Sequence, residues 1–106
     1  MPKYLIHGNY VGEGIKGLLK EGGSSRRAAI EKLAASQGGS LESVYYAFGD
    51  TDIYVIVDMP DNASMAALAL TAAASGAVTI KTTVLMTPEE VDEASKKTVD
   101  YRPPGR

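Results

Sequence analysis

The sequence predicts a small α+β domain whose elements follow the order β-α-β-β-α-β, with a further short helix near the end. The chain has 106 residues, of which 44% are hydrophobic, so it can form one domain with a modest core. Runs rich in aromatic and β-branched residues alternate with alanine-rich runs of helical spacing. Tyr45 to Asn62 has the pattern of strand, tight turn, strand and helix start. We expect a single domain over residues 1–98 and a tail over residues 99–106.

The composition narrows the classes of function. The formal net charge is −2, with 11 basic and 13 acidic residues mixed along the chain, so no strong field would attract nucleic acid or an anionic membrane. The absence of cysteine excludes disulfides and thiol catalysis. No stretch approaches the ~20 apolar residues of a membrane span, and no secretion signal is evident. We therefore expect a cytoplasmic protein without nucleic-acid or membrane partners.

The first strand is predicted over Lys3 to Tyr10, where Tyr4, Ile6 and Tyr10 share one face and His7 lies on the other. A glycine-rich segment follows and predicts a short, loosely specified helix, because each interior glycine costs about 0.5–1 kcal/mol relative to alanine.

A second helical segment is predicted over Arg26 to Gln37, with a serine before it as the cap. Its apolar stripe consists of Ala29, Ile30, Leu33 and Ala34.

The hairpin supplies strands two and three, predicted over Leu41 to Phe48 and Ile53 to Met59. The connection Gly49 to Asp52 is short and holds the residue types of a tight turn. Strand three is apolar at nearly every position, which predicts a central strand covered on both faces.

The second half of the chain contains a helix from Ala63 to Ala74 that begins at a cap formed by Asp61 or Asn62. The fourth strand is predicted over Ala77 to Met86. The last helix should begin with a capping box from Thr87 to Glu90 and run to about residue 97.

This order is that of a ferredoxin-like fold, in which four antiparallel strands carry both main helices on one face. The opposite face would then hold much aliphatic and aromatic surface, which favours a covering partner. The predicted members of this face are Leu5, His7, Tyr45, Tyr54, Ile56 and Leu85. We expect a second copy of the same sheet to cover it, in a homodimer or larger oligomer.

The hairpin resembles the GYD-domain family of small bacterial and archaeal proteins. The matching residues are Gly49 to Asp52, the apolar strand after them and Pro60 to Asn62. Supporting similarity lies in Gly8-Asn9-Tyr10, Glu13-Gly14-Ile15, Arg26-Arg27, Gly38-Gly39, the helix rich in alanine and leucine, and Thr82 to Leu85. The resemblance covers residues 3 to about 97 and implies a dimeric α+β barrel-like fold, but no established reaction. It departs at Thr51, where the family has the tyrosine of its name.

Two motifs have both a functional and a structural interpretation. Gly12 to Gly17 matches the GxGxxG pattern of dinucleotide sites, but the chain has no room for parallel βαβ units, so a glycine-rich helix entry is favoured. His7 is the only histidine and could act as a general base, although a core or interface role is more common. A single histidine also argues against a metal site, and no cofactor is expected.

The acids around the hairpin suit structural roles better than catalysis. Asp52 and Asp58 are six residues apart on one strand, roughly 20 Å, which is too far for a working carboxylate pair. Asp50 and Asp52 suit the turn, and Asp61 suits a helix cap. Asp52 nevertheless stays a weak catalytic candidate together with His7.

Three functions remain open from the sequence. The leading one is a small-molecule-binding or regulatory module, with Tyr45, Tyr54 and His7 as candidate contacts to a small hydrophobic or aromatic ligand. The second is a cofactor-free monooxygenase or isomerase with a pocket between sheet and helices. The third is a purely structural oligomer. An enzyme requires His7 or an aspartate in an enclosed pocket, a binding module requires a pocket without acid/base groups, and a structural protein requires no pocket.

Overall fold

Four antiparallel strands form a single sheet in the computed structural model, which describes residues 1–106. The strands are β1 (Lys3–Tyr10), β2 (Ser40–Tyr46), β3 (Ile53–Asp58) and β4 (Val78–Leu85), and the helices are α1 (Glu13–Glu21), α2 (Gly23–Ser36), α3 (Asn62–Ala74) and α4 (Pro88–Ser95). The strand order is β2-β3-β1-β4, and every pairing is antiparallel. The predicted α+β fold is confirmed, and the order is compatible with a ferredoxin-like arrangement.

The core lies between one face of the sheet and the helices α2 and α3. Strand alternation places every second residue of β1 and β3 on this face. The fully enclosed members include Tyr4, Val57 and Met59, and the helices contribute Ala34 and Met65 to the same cluster. The predicted faces of β1 are therefore confirmed.

The opposite face of the sheet has no cover within one chain. Tyr54, which projects from β3 on this side, is 42% exposed, and Tyr45 beside it is 71% exposed. The expectation that β3 is covered on both faces is thus wrong for a single chain, because both main helices lie on one side. The strand itself is interior, whereas β2 forms the edge of the sheet and ends at Tyr46, two residues earlier than predicted.

A single glycine separates the first two helices. Gly22 has φ 81°, in the left-handed region that glycine adopts easily, and it is both the last cap of α1 and the first cap of α2. The predicted serine cap is wrong, since α2 begins at Gly23 and includes Ser24 and Ser25 within its first turn.

The starts of α3 and α4 agree with the sequence. The Oδ1 atom of Asp61 accepts a hydrogen bond from the backbone N–H of Ser64 at 2.8 Å. At α4, Thr87 and Glu90 form the predicted reciprocal capping box. Both helix starts are therefore set by local side-chain contacts.

Replacing Asp61 by alanine is expected to lower the thermal unfolding midpoint at pH 7, and the deficit should shrink as the solution is acidified. The Ser64 hydrogen bond holds the pKa of the Asp61 carboxyl below its ordinary value. A group with a lowered folded-state pKa contributes stability above its unfolded-state pKa, and this contribution is lost as pH falls through the folded-state value. Melting curves of the wild type, Asp61→Ala and Asp61→Asn from pH 7 to pH 2 test this. A deficit independent of pH would contradict it.

The C-terminal segment projects from the body of the protein. No residue of α4 is buried, and the residues after Ser95 form no further helix or strand. The Cα radius of gyration is 16.9 Å, whereas a compact chain of this length would have about 13 Å. None of the helices combines the length and the apolar composition needed to cross a membrane.

Candidate functional site

A cavity of about 100 Å³ lies between the sheet and the helices α2 and α3, and we call it the inner cavity. Its wall has one charged residue, Arg26. The other lining residues are Ile6, Tyr10, Ile30, Leu33, Ala34, Ile53, Val55, Val57, Met65, Leu68, Ala69, Ala72, Val78 and Ile80. On the α3 side, Ala69 and Ala72 have side chains too small to fill the space that faces the sheet. An apolar cavity of this kind can stay free of water and accept an apolar group.

A second space, the outer pocket, lies beside the inner cavity and has a volume of about 380 Å³. The two spaces have five lining residues in common, so they share a wall. The shared residues are Tyr10, Arg26, Leu33, Ala72 and Val78. The outer pocket also meets α1 at Gly14 and Leu18, and its charged side chains are Glu13, Glu21 and Arg26.

Arg26 and Tyr10 are the two polar residues that line the inner cavity, and Tyr46, which lines neither the cavity nor the outer pocket, is their neighbour. The Tyr46 hydroxyl donates a hydrogen bond to the carbonyl oxygen of Gly23 at 3.0 Å. Burial raises the pKa of that hydroxyl above its ordinary value, and the neighbouring Tyr10 raises it further. The Arg26 guanidinium lies 3.8 Å from the nearest carboxylate oxygen of Glu21, which is too long for a hydrogen bond. Tyr46 is thus uncharged at neutral pH, and Arg26 has donors to spare.

The three predicted ligand contacts meet on the other side of the sheet. In the strand register, His7 lies opposite Tyr54, and Tyr54 lies opposite Tyr45. The rings of His7 and Tyr54 are stacked, with centroids 6.1 Å apart and planes at 15°. Lys81 of β4 is the partner of His7 on its other side. Together these four residues form a row across all four strands, which we call the open-face row.

A polar groove of about 210 Å³ lies at one end of this row. His7, Asp50, Thr51 and Lys81 are among its lining residues. Thr51, the position of the tyrosine in the resembling family, therefore lies close to the only histidine. That Lys81 neighbours His7 could not be predicted from the sequence, because it depends on the register between β1 and β4.

Asp52 has a structural role in the protein. Its Oδ2 atom accepts a hydrogen bond from the backbone N–H of Tyr10 at 3.0 Å, and its own N–H donates to Asn9 Oδ1 at 2.9 Å. These contacts tie the hairpin loop to the end of β1. Asp52 lines neither the inner cavity nor the polar groove, so its catalytic role stays a prediction without a contact that favours it.

Two further acids near the hairpin, Asp58 and Asp61, have structural partners. Asp58 forms an ion pair with Lys3 at 2.9 Å, and Asp61 caps α3. No group of three or more histidine, aspartate or glutamate side chains is arranged to hold a metal ion.

The GxGxxG pattern lies in a different context from that of a dinucleotide site. Gly12 precedes α1, and the strand before it pairs only with antiparallel neighbours. A dinucleotide fingerprint requires a parallel βαβ unit. The segment is therefore a glycine-rich helix entry.

The inner cavity and the polar groove differ in their chemistry. The inner cavity has a guanidinium and a phenol at its wall, but no histidine or carboxylate. His7 lies instead on the open face of the sheet, where it lines the polar groove. No acid/base pair therefore converges on the inner cavity.

Comparison with known proteins points to one family. A family model described as the GYD domain matches residues 4–95. A crystal structure of a protein of unknown function from Nitrosomonas europaea is similar, with 19% sequence identity, a TM-score of 0.43, and coverage of 81% of this chain and 90% of that one. No curated protein matches the chain. The family model spans most of the chain, and the protein therefore belongs to the GYD-domain family.

Proposed function

We propose that the protein is a homo-oligomeric binding module that holds a small apolar or aromatic ligand in the inner cavity. The observation that supports this most strongly is the wall of that cavity, where Arg26 is the one charged residue. Binding sites for small molecules are commonly apolar spaces with a few polar groups at defined positions. The cavity lacks the converging acid and base that an enzyme would need, which favours a binding role.

The exposed surface supports assembly. A compact monomer of 11.2 kDa exposes about 5,700 Å², whereas this chain exposes 7422 Å². The excess of about 1,700 Å² is enough for a standard interface, which covers about 800 Å² on each partner. The open face supplies Leu5, Ile56 and Tyr54, and the projecting C-terminal segment supplies Val99 and Tyr101. A second copy of the sheet is the partner that we expect on the open face.

A cofactor-free enzyme is the second candidate function. The observation that favours it is the stack of His7 on Tyr54, with Lys81 as the next residue of the open-face row. A second sheet placed over this row would enclose the polar groove. A purely structural oligomer is the third candidate, and it gains no support from a chain that contains an apolar cavity. The cytoplasmic location stays a prediction from the sequence.

Filling the inner cavity tests the binding proposal. Ala72 lines the cavity and is half-buried, so Ala72→Leu places a larger side chain in the space. Benzene is a suitable neutral probe, because aliphatic cavities of roughly 150 Å³ are known to hold it. We expect benzene to perturb the methyl signals of Ile6 and Ile80 in NMR spectra of the wild type, with at least about tenfold weaker binding to Ala72→Leu.

The neighbouring residue Ala73 provides the control. It is exposed on the same helix and does not line the cavity, so Ala73→Leu should bind benzene like the wild type. His7→Ala should also leave this binding unchanged, since His7 lies on the other face of the sheet. Equal benzene binding by the wild type and Ala72→Leu would contradict the proposed location.

A further inference from the structure

Arg26 is the one charged side chain shared by the inner cavity and the outer pocket. We infer that the ligand is a small organic acid whose apolar group fills the inner cavity and whose carboxylate binds Arg26. The inference rests on the proposed binding function and adds the chemical class of the ligand. It follows from the position of the guanidinium, its unused donors and the Tyr10 side chain that lines both spaces with it.

Arg26 combines partial exposure with a place at the wall of both spaces. Its side chain is 35% exposed and lines the inner cavity and the outer pocket, so an anion can reach the guanidinium. Its ion-pair partner Glu21 is 3.8 Å away, which is beyond hydrogen-bond distance. A ligand carboxylate in direct contact would supply two parallel hydrogen bonds, because the planar guanidinium matches that geometry.

The surrounding charges also bear on the ligand. Tyr10, which lines both spaces, presents a hydroxyl that can donate a hydrogen bond to an oxygen of the ligand, whereas the Tyr46 hydroxyl already donates to the carbonyl oxygen of Gly23. Glu13 and Glu21 line the outer pocket but not the inner cavity. A ligand carboxylate that reaches Arg26 from the inner cavity therefore approaches from the side without these two carboxylates. Glu13 also has its own partner, Lys16, at 3.2 Å. Glu21 is therefore the group that competes with the ligand for Arg26.

The volume of the inner cavity limits the apolar part of the ligand. At about 100 Å³, the cavity is smaller than the cavities of roughly 150 Å³ that hold benzene, so a single ring or a short branched chain is the upper limit for the apolar part. The carboxylate would lie at the wall that the two spaces share, where Arg26 is located. A monocyclic or short branched acid fits both spaces, whereas a long-chain fatty acid exceeds the inner one.

Three probes of nearly equal shape distinguish the contribution of the ligand's charge to the affinity from the contribution of its apolar ring. Benzoate is an anion, benzamide is neutral and benzamidine is a cation. We expect wild-type protein to bind benzoate at least about tenfold more tightly than benzamide, because hydrogen bonds to charged groups are the stronger ones. Benzamidine should bind most weakly. Titrations followed by methyl NMR signals of cavity residues measure affinity and location together.

Variants of the charged residues test the role of Arg26. Arg26→Gln should reduce benzoate affinity about tenfold and leave benzamide within about twofold, which removes the preference for the anion. Arg27→Gln is the matched control, since Arg27 lines neither space and should change nothing. Glu21→Gln should strengthen benzoate binding, because it removes the competing carboxylate. If Arg26→Gln does not fold, Arg26→Lys and the wild-type probe series still provide the comparison.

The outcomes distinguish this inference from the function on which it rests. A preference for benzoate over benzamide that disappears in Arg26→Gln supports both the organic-acid inference and the binding function. Equal binding of benzoate and benzamide in the cavity overturns the organic-acid inference and leaves the binding function in place. No binding of benzene or of any of the three probes at millimolar concentration, in wild-type protein that is folded, overturns both.

Discussion

Replacing Ile56 by glutamate is expected to separate the proposed dimer into folded monomers. Ile56 lies at the middle of the open face, opposite Leu5 in the sheet register, and its side chain is outside the core of the single chain. A carboxylate at this position would be buried without a partner when two sheets meet, which costs about 3–5 kcal/mol. The dimer dissociation constant should therefore rise at least about 100-fold. Sedimentation velocity over a range of micromolar concentrations measures this change.

Leu70 provides the matched control for this substitution. It is 71% exposed on α3, on the helical side of the protein, so Leu70→Glu introduces the same charge away from the open face. This variant should keep the wild-type oligomeric state, and both variants should keep the wild-type circular dichroism spectrum. If Leu70→Glu dissociates and Ile56→Glu does not, the interface lies on the helices and the sheet-to-sheet proposal is wrong.

Replacing Gly14 by alanine is expected to destabilise the protein by about 1–3 kcal/mol. A β-carbon at Gly14 would overlap the carbonyl oxygen of Ala77. That oxygen cannot move freely, because it accepts a hydrogen bond from the backbone N–H of Val11 at 2.9 Å. The overlap must therefore shift α1 or the start of β4. Urea unfolding at a fixed protein concentration measures the loss.

Gly17 lies one turn later in the same helix and gives the opposite expectation. A β-carbon there would meet nothing within 4 Å, so Gly17→Ala should stabilise the protein by about 0.5–1 kcal/mol through helix propensity alone. Because both substitutions carry the same gain in propensity, their difference isolates the close approach at Gly14. Equal effects of the two substitutions would show that the contact with Ala77 is not important for stability.

Local sequence signals predicted most of the fold. The alternation of apolar residues identified the faces of β1, and Asp61 and Thr87 identified the starts of α3 and α4, because these features depend on neighbours within a few residues. The start of α2 was predicted three residues late, at Arg26, because Gly22 alone, with its left-handed backbone, separates the two helices.

The candidate site was harder to predict, since it depends on contacts between distant residues. The sequence placed His7, Tyr54 and Tyr45 on one face, but the row they form with Lys81 appears only when the strand register is known. The inner cavity was anticipated only as a pocket between sheet and helices. From the sequence, the pair Arg26-Arg27 could bind an anion, but a solvated helix start was the favoured interpretation, so the place of Arg26 at the cavity wall was not predicted.

Native mass spectrometry of the purified wild-type protein tests the central claim most directly, because one spectrum reports both the number of copies and any small molecule retained. The account predicts two or more copies of the 11.2 kDa chain, with a retained small molecule that is absent from Ala72→Leu prepared in the same way. Bare monomers at micromolar concentration would contradict both the oligomer and the binding function.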